Sequence, residues 1–539
     1  MSSEALTDTP LGAATSPAPR HRYEVTARDG VFAAVLLVVG YAWWDWVQPR
    51  SQTVPLPNTA DGGGVIYKAW PSGVGVAAFF VLALGVSIAY YRLSGVRLSR
   101  TAWLGAAALL VATGPFVLYT PTPFHVLLGM GVTAGFVMWH ALVSRSAAGG
   151  TFGVALVATA LNQVIAPFRN IGAWWAGLSV GLRGRHRSTQ VVATIVALVV
   201  AAPVILLVIW LLSAADAGFA GLVQRLTTAL ANLNIGRVFW QCVFAIPFAI
   251  FAAALLYANA RHSGEATVPP DALSRAGRTV QKAPAVALAA PLALLDLIYV
   301  VFFVAMGSYL FSAFAGRLPA GYTYADYARR GFFELAGVAA LNALVLAVTY
   351  AIAARGDHGL PKVLKVCGAV LSGLTLLLIA TAVSKMVMYV NQYGLTLLRL
   401  MTLAGLAVLA VLFGLVLARH FHRFDVSRPV FAVLVVALVG LAWANPSGLI
   451  ARYNIDRYLN GGIAQVDVAY LADNLGDASV PALADLAARA PSSQVAQQAA
   501  QALTDYAADA QPVADAGGVP WMAWTWQLAH AWRIAGVHG

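Results

Sequence analysis

Carboxylates within apolar sequence are the side chains most able to do chemistry in this chain, and Glu334 is the first of them. The chain has only four glutamates, and the other three lie in polar segments. Glu334 lies at the outer end of an expected membrane span, where a buried carboxylate is costly and indicates a functional site. Arg330 precedes it by four residues, so the two share a face if the helix extends that far.

Several other polar side chains fall at the same predicted depth. We interpret them as a net-cationic pocket that opens outward and holds an anionic group, such as a phosphate, a lipid head group or a carboxylated glycan. The alternative is that these charges pair with one another and reach to the membrane interface, where they fix helix ends. The candidate binding residues are Arg329, Arg330, Glu334, Lys385, Tyr393 and Arg399.

Two aspartates are secondary candidates. Asp296 lies well inside the bilayer if its helix starts near Val286, but near the cytoplasmic interface if the helix starts near Pro291. Asp326 is a carboxylate at the outer level, where acid–base chemistry would need one. No nucleophile elbow, HExxH pattern or nucleotide-binding signature occurs, so the catalytic residues are unknown and a pump driven by ATP is not expected.

No metal or cofactor is expected either. Cys242 and Cys367 fall near opposite faces of the predicted membrane, so they build neither a disulfide nor a metal site. His420 and His422 are two residues apart, so they do not share a helix face.

The composition predicts an all-α, polytopic membrane protein. Of 539 residues, 60% are hydrophobic and 10% are charged, whereas soluble domains carry about 25% charged residues. Apolar runs long enough to cross a bilayer recur along the chain. About eleven spans are predicted, with a transmembrane helical bundle over 31–446: 31–47, 72–91, 101–119, 124–143, 190–212, 238–260, 291–314, 331–353, 366–384, 397–418 and 429–446.

The charge distribution predicts the orientation. The net charge is +12, and placing the polar tail 1–30 in the cytoplasm puts most Lys and Arg of the short loops on the cytoplasmic side. Interfacial helices are expected near 151–181 on that side and near 219–233 on the outer surface. No basic stretch is interleaved with aromatics, so nucleic acid is not an expected partner.

Residues 447–539 differ from the rest of the chain, since they are rich in Ala and Asp and broken by turn signals. An odd number of spans places them outside the cytoplasm, as a small helical domain that could contact an extracytoplasmic protein partner. Trp521, Trp524 and Trp532 are expected on one helix face, which either packs on this domain or rests on the outer membrane surface.

Three stretches carry a resemblance to a known family: Gly321–Leu335, Tyr393–Arg399 and Tyr453–Tyr458. With the spans around them, over roughly 150–475, they resemble a bacterial multi-pass integral membrane family catalogued only as a domain of unknown function. The resemblance implies a protein of the bacterial cell (inner) membrane. It offers no activity, so no catalytic residue is carried over.

Three functions remain open at this point. The first is binding or transport of an anionic or glycan- or lipid-linked envelope compound by the outer cluster. The second is a non-enzymatic membrane scaffold or signalling partner. The third is a membrane-embedded transferase acting on a lipid-linked donor, so whether the chain is an enzyme is uncertain. No internal repeat of the kind found in many transporters is evident.

Overall fold

The chain folds into a bundle of apolar helices capped at one end by a group of less apolar ones. The computed structural model describes residues 25–47, 51–54, 65–68, 73–120, 123–144, 154–182, 235–261, 285–329, 332–353, 361–422, 424, 426–515 and 517–538, with isolated positions between 205 and 223. The all-α prediction is confirmed, and the exception is a short antiparallel hairpin of β1 (Ser51–Val54) and β2 (Val65–Lys68).

The helices follow the hydropathy pattern closely. The apolar bundle is formed by α1 (Ala27–Ala42), α2 (Val74–Leu93), α3 (Arg100–Leu118), α4 (Pro123–Val143), α5 (Val154–Arg169), α6 (Gly172–Leu182), α7 (Ile235–Arg261), α8 (Ala285–Phe311), α9 (Tyr324–Arg329), α10 (Phe332–Ala353), α11 (Lys362–Tyr393), α12 (Leu397–Phe421) and α13 (Ser427–Trp443). The cap is formed by α14 (Pro446–Leu459), α15 (Val468–Leu475), α16 (Val480–Arg489), α17 (Ser493–Asp515) and α18 (Trp526–Ala535).

Seven helices within the described ranges are long and apolar enough to cross a membrane, or eight if the bent pair α13–α14 forms one span. This makes the chain a multi-pass membrane protein, while the expected total of eleven stays a prediction. The expected span 190–212 and the expected amphipathic helix 219–233 lie outside the described residues, apart from isolated positions. The helix α11 has 32 residues, so it extends well beyond the expected 366–384.

The helices enclose two hydrophobic cores. One core joins α1, α2, α3, α4 and α7, with Tyr91, Phe116 and Trp139 almost fully buried. The other core joins α8, α10, α11 and α12 to the cap. The pair α5–α6 packs against α1, α4 and α7, and Asn162 and Gln163 are buried. Whether this pair also lies at the membrane interface stays a prediction.

A sharp bend at Asn445 starts the cap. Asn445 has a φ of +50°, and its side-chain oxygen accepts a hydrogen bond from the Gly448 amide at 3.2 Å. Asparagine tolerates this left-handed conformation and caps helix starts well. Pro446 then begins α14, which is bent by 61° from α13. The chain therefore turns from the last membrane helix directly into the cap.

The cap rests on one end of the bundle and shares its core. Ile450, Ile455 and Leu471 of the cap belong to the same buried cluster as Leu395 and Leu406. At the start of α2, the Val74 amide donates to the Trp524 carbonyl at 3.1 Å. The helix ends that meet the cap are those predicted to lie on the outer side, so we call this the outer end.

The tryptophans of the cap do not form the single face that was expected. The helix α18 begins only at Trp526, so Trp521 and Trp524 precede it. Both stay substantially exposed, and Trp521 packs edge-on against Trp46 of the bundle with ring centroids 5.3 Å apart. Trp532 instead packs against Ala510 and its neighbours on α17. The three tryptophans do not share a face because the turn before α18 interrupts the helical periodicity.

Asp477 joins the cap to the bundle and makes their packing sensitive to pH. Its carboxylate accepts hydrogen bonds from Thr120 at 2.8 Å and from Tyr506 at 2.6 Å. Burial raises the pKa of Asp477 above its ordinary value, although these two hydrogen bonds lower it. The folded protein therefore holds this proton more tightly than the unfolded chain does. The stability that protonation contributes is present at low pH and is lost as pH rises through the folded pKa.

We expect Asp477→Asn to keep most of the thermal stability at neutral pH and to weaken its pH dependence. Asp477→Ala should lower stability by about 1–3 kcal/mol, because it leaves two partly buried hydroxyls without their acceptor. Thermal unfolding in one detergent across a pH series measures both effects. Equal stability of Asp477→Ala and wild type would contradict this account of the joint.

Candidate functional site

Lys385 is the centre of the outer polar cluster. Its side chain is only 1% exposed. It lies in the membrane-spanning helix α11, two turns before the end of that helix. Its Nζ lies 4.4 Å from the ring centroid of Tyr309 and 4.7 Å from that of Tyr327. Cation–π contact offsets part of the cost of burying an ammonium. None of the carboxylates in the described part of the chain pairs with this ammonium.

Hydrogen bonds fix the two rings that cover Lys385. The Tyr327 hydroxyl donates to the Tyr309 carbonyl at 2.7 Å and lies 2.8 Å from the Ser312 hydroxyl. Tyr322 packs against both rings. These residues come from the end of α8, the turn after it and α9, so the segment 309–327 forms an aromatic cover over the ammonium.

Arg399, at the start of α12, lies at the same end of the bundle. Its guanidinium reaches the side of α11 that carries Lys385, one turn closer to the end of that helix. Its guanidinium lies 4.0 Å from the ring centroid of Tyr389, which follows Lys385 by four residues. It also donates to the carbonyls of Tyr393 at 3.1 Å and Gly394 at 2.5 Å. These are the terminal carbonyls of α11, which have no partner within the helix. Arg399 thus caps α11 and remains half-buried.

A second set of contacts holds the turn between α11 and α12. The Asn454 side chain accepts from the Leu395 amide at 2.6 Å and donates to the Leu395 carbonyl at 2.7 Å. Arg457 donates to the Asn391 side chain at 2.9 Å and to the Gly462 carbonyl at 2.8 Å. The amino-acid sequence gave no indication that α14 would hold this turn.

The three stretches that carry the family resemblance therefore meet at the outer end. Tyr453–Tyr458 holds Tyr393–Arg399 through Asn454. Gly321–Leu335 contains Tyr327, whose ring covers Lys385. Lys385 precedes Tyr393 by eight residues on α11. The three stretches are far apart in sequence, since the first begins at residue 321 and the last ends at residue 458. Their convergence makes this end of the bundle the candidate functional site.

Other candidates are placed differently. Arg330 lies outside the described residues, and only the backbone positions of Arg329 and Glu334 are described. Asp326 is exposed, and it accepts from the Thr323 hydroxyl at 2.7 Å at the start of α9. Thr323 caps the start of α9 by accepting from the Asp326 amide at 3.1 Å, and the Asp326 carboxylate holds the capping hydroxyl. The exposed Tyr393 ring packs edge-on against Tyr389 at 5.3 Å.

Asp296 lies far from the outer cluster. It is 9% exposed, in the inner half of α8, and its Oδ1 atom has no hydrogen-bond partner within the described part of the chain. The helix starts at Ala285, so Asp296 is inside the span and not at its start. No group of three His, Cys, Asp or Glu suited to a metal ion occurs among the residues that the structure describes.

A buried polar network near the inner end was missed by sequence reasoning. The Asn259 amide donates to the Tyr91 hydroxyl at 3.1 Å and to the Gln163 side chain at 2.7 Å. The same hydroxyl lies 2.7 Å from Nδ1 of His140. The network joins α2, α4, α5 and α7. The sequence signals were His140 near the end of a span and Gln163 within the apolar segment 151–181.

Tyr91→Phe should destabilise the protein by about 1–3 kcal/mol, because Asn259 and His140 would lose a buried partner. Tyr41→Phe is a matched control, since Tyr41 is 47% exposed on a neighbouring helix. Thermal unfolding of both variants in the same detergent tests the expectation. A loss of stability that is equal in the two variants would show that the network contributes little.

The comparisons with known proteins identify a family and leave the activity open. The model of a family described as a domain of unknown function (DUF4153) matches residues 105–486, which is more than half of the chain. No curated protein matches the chain. No solved structure matches it either. The chain, a multi-pass membrane protein by its own helices, therefore belongs to the DUF4153 family.

Proposed function

We propose that the outer cluster around Lys385 binds the anionic group of a glycan- or lipid-linked envelope compound, which the bundle then moves or senses. The protein would act in the bacterial inner membrane, with its N-terminus in the cytoplasm and residues 447–539 outside it. The observation that carries the proposal is the burial of the Lys385 ammonium with aromatic rings, but no described carboxylate, around it.

The cost of a buried charge without a described acidic partner supports an anionic ligand. Moving an ammonium out of water is expensive unless an opposite charge or good hydrogen bonds replace the water. Two tyrosine rings provide about 0.5–2 kcal/mol each, which is less than a charge partner would. A phosphate or carboxylate would supply that partner.

The surroundings of Lys385 favour a compound with a sugar or lipid portion over a small free anion. Tyr389 and the exposed Tyr393 continue the aromatic surface from Lys385 to the end of α11. Tyrosine presents an apolar face together with a hydroxyl, which suits both a sugar ring and an acyl chain near a head group. Arg399, half-buried beside Tyr389, adds a second cation on the same side of α11.

Co-purification tests the proposal. The wild type, Lys385→Met and Lys362→Met would be isolated in native membrane particles, and bound compounds would be identified by mass spectrometry. Lys362 is the control because it lies on the same helix, is exposed, and is at the opposite end. We expect an anionic compound with wild type and Lys362→Met that is lost with Lys385→Met. Identical profiles from three folded proteins would refute the site and favour the scaffold alternative.

The orientation has its own test. Single cysteines would replace Asp509 in the cap and His422 at the far end of α12, both exposed positions, in a background with serine at the native cysteines. A maleimide that cannot cross membranes should label Asp509→Cys in intact cells and label His422→Cys only after lysis. The opposite pattern would reverse the proposed orientation.

A further inference from the structure

The helix α8 is mostly exposed to its surroundings, yet it turns Asp296 toward the protein. Leu294 and Leu297, on either side of it, are both 59% exposed. The packed side is a narrow stripe of Leu292, Asp296, Tyr299 and Phe303, spaced by three or four residues. The carboxyl group therefore lies on the one stripe that contacts other helices.

The helices beside Asp296 supply polar groups that are already used. Tyr299 donates to Asn342 of α10 at 2.9 Å, and Asn342 donates to Thr375 of α11 at 2.9 Å. Thr375 in turn donates to the Leu371 carbonyl at 2.7 Å. This chain of hydrogen bonds is complete without Asp296, whose Oδ1 is left with no partner in the described ranges.

No described charge faces Asp296 from the elements packed against α8. The titratable groups nearby are Tyr299 on its own helix and Cys367 on α11, which lies within Coulombic range. Lys365 precedes Cys367 by two residues and has His420 of α12 as its Coulombic neighbour. The described side chains of α10 that contact α8 carry no charge, and Asn342 is the polar one among them. Tyr299 of α8 is level with Thr375 of α11, and Tyr309 is level with Lys385. Asp296 precedes Tyr299 by three residues, so Lys385 lies thirteen residues farther toward the outer end than Asp296. That separation is about 20 Å along the helices.

We propose that Asp296 is a proton-binding site inside the bundle. In this packing of α8, α10 and α11, the carboxylate has taken a proton from water and is the neutral acid. It returns the proton to water when the helices separate enough to hydrate it. An ionised carboxylate without a partner is strongly disfavoured at this place. This inference goes beyond the proposed anion site and stands without it.

The surroundings favour a proton over a metal cation. Hard cations such as Ca²⁺ and Mg²⁺ take six or more oxygen ligands. In the part of the chain that the structure describes, Asp296 does not belong to any group of acidic, histidine or cysteine side chains that could hold a metal. A proton needs only the carboxyl oxygen itself.

Infrared difference spectroscopy of the whole protein in native membrane particles tests the site. Wild type minus Asp296→Asn should show the carbonyl stretch of a protonated carboxyl at neutral pH, and this band should disappear as pH rises. Asp326→Asn is the control, because Asp326 is an exposed carboxylate outside the packed side of α8. A difference spectrum without the band at neutral and mildly acidic pH would overturn the proposal.

Chemical labelling gives a second readout that a structural role would not move. A hydrophobic carbodiimide reacts with protonated carboxyls in apolar surroundings, so it should modify Asp296 and spare Asp326, as peptide mass spectrometry would show. Labelling should fall as pH rises at constant salt. Loss of the infrared band and of labelling on adding Na⁺ at fixed pH would instead identify a metal-cation site and overturn the proton assignment.

Discussion

Gly394→Ala should destabilise the outer end by about 2–5 kcal/mol, from backbone strain and lost hydrogen bonds together. Gly394 has a φ of +76°, a conformation that costs other residues free energy, and it ends α11. A Cβ atom there would lie 2.6 Å from Oδ1 of Asn454. The methyl group would push away the side chain that holds both backbone groups of Leu395. The drop in thermal unfolding temperature measures the effect.

Gly373→Ala is the matched control for this substitution. Gly373 is in the middle of the same helix, and a Cβ atom there would contact nothing within 4 Å. Alanine is favoured over glycine inside a helix by about 1 kcal/mol, so this variant should be as stable as wild type or more so. Equal stability of the two alanine variants would contradict the importance we give to the turn after α11.

A double-mutant cycle separates strain from hydrogen bonding. Asn454→Ala alone should cost about 1–3 kcal/mol, because the Leu395 amide and carbonyl would be buried without partners. The double variant Gly394→Ala with Asn454→Ala should cost less than the sum, since the clash disappears with the Asn454 side chain. If the free-energy costs of the two single variants simply add in the double variant, Gly394 and Asn454 do not influence stability through their contact.

Hydropathy was enough to predict the all-α fold class because the bilayer forces each apolar run into a helix. The described helices α2, α3, α4, α7 and α12 lie within a few residues of the predicted spans. The extent of α11 was missed, since polar residues after Ser384 look like the end of a span. They continue the helix because α8, α9 and the cap cover them, and such contacts between distant residues have no local signal.

The sequence placed two candidate residues at the same end of the bundle but did not predict what each of them contacts. Lys385 and Arg399 do lie at one end, with Tyr389 between them. Their functions differ, however: Arg399 caps α11, whereas Lys385 is buried without a described acidic partner. Charge and depth alone cannot separate a cap from a buried charge, because that depends on which carbonyls and rings come close. The inner network around Tyr91 was missed for the same reason, since its members are spread over four helices.

Lys385→Met should be at least as stable as wild type when no ligand is bound, even though a fully buried side chain is changed. Methionine keeps most of the length and apolar contact of lysine while removing the buried charge. Replacing buried charged groups by apolar ones of similar volume is often neutral or stabilising, by up to about 4 kcal/mol. Thermal unfolding of delipidated protein measures this, with the exposed Lys362→Met as the control.

The order of stability should reverse when ligand is supplied. Anything that binds only the folded protein stabilises it, so a total lipid extract from the source cells should raise the unfolding temperature of wild type and leave Lys385→Met unchanged. Tyr327→Phe should keep most of the ligand response, because the ring over the Lys385 ammonium stays, while its hydrogen bonds to Tyr309 and Ser312 are lost. If Lys385→Met instead unfolds several degrees below wild type without ligand, the lysine stabilises the fold, and the buried charge no longer argues for a binding site. A lysine that costs stability when empty and restores it when occupied is what an anion-binding site requires.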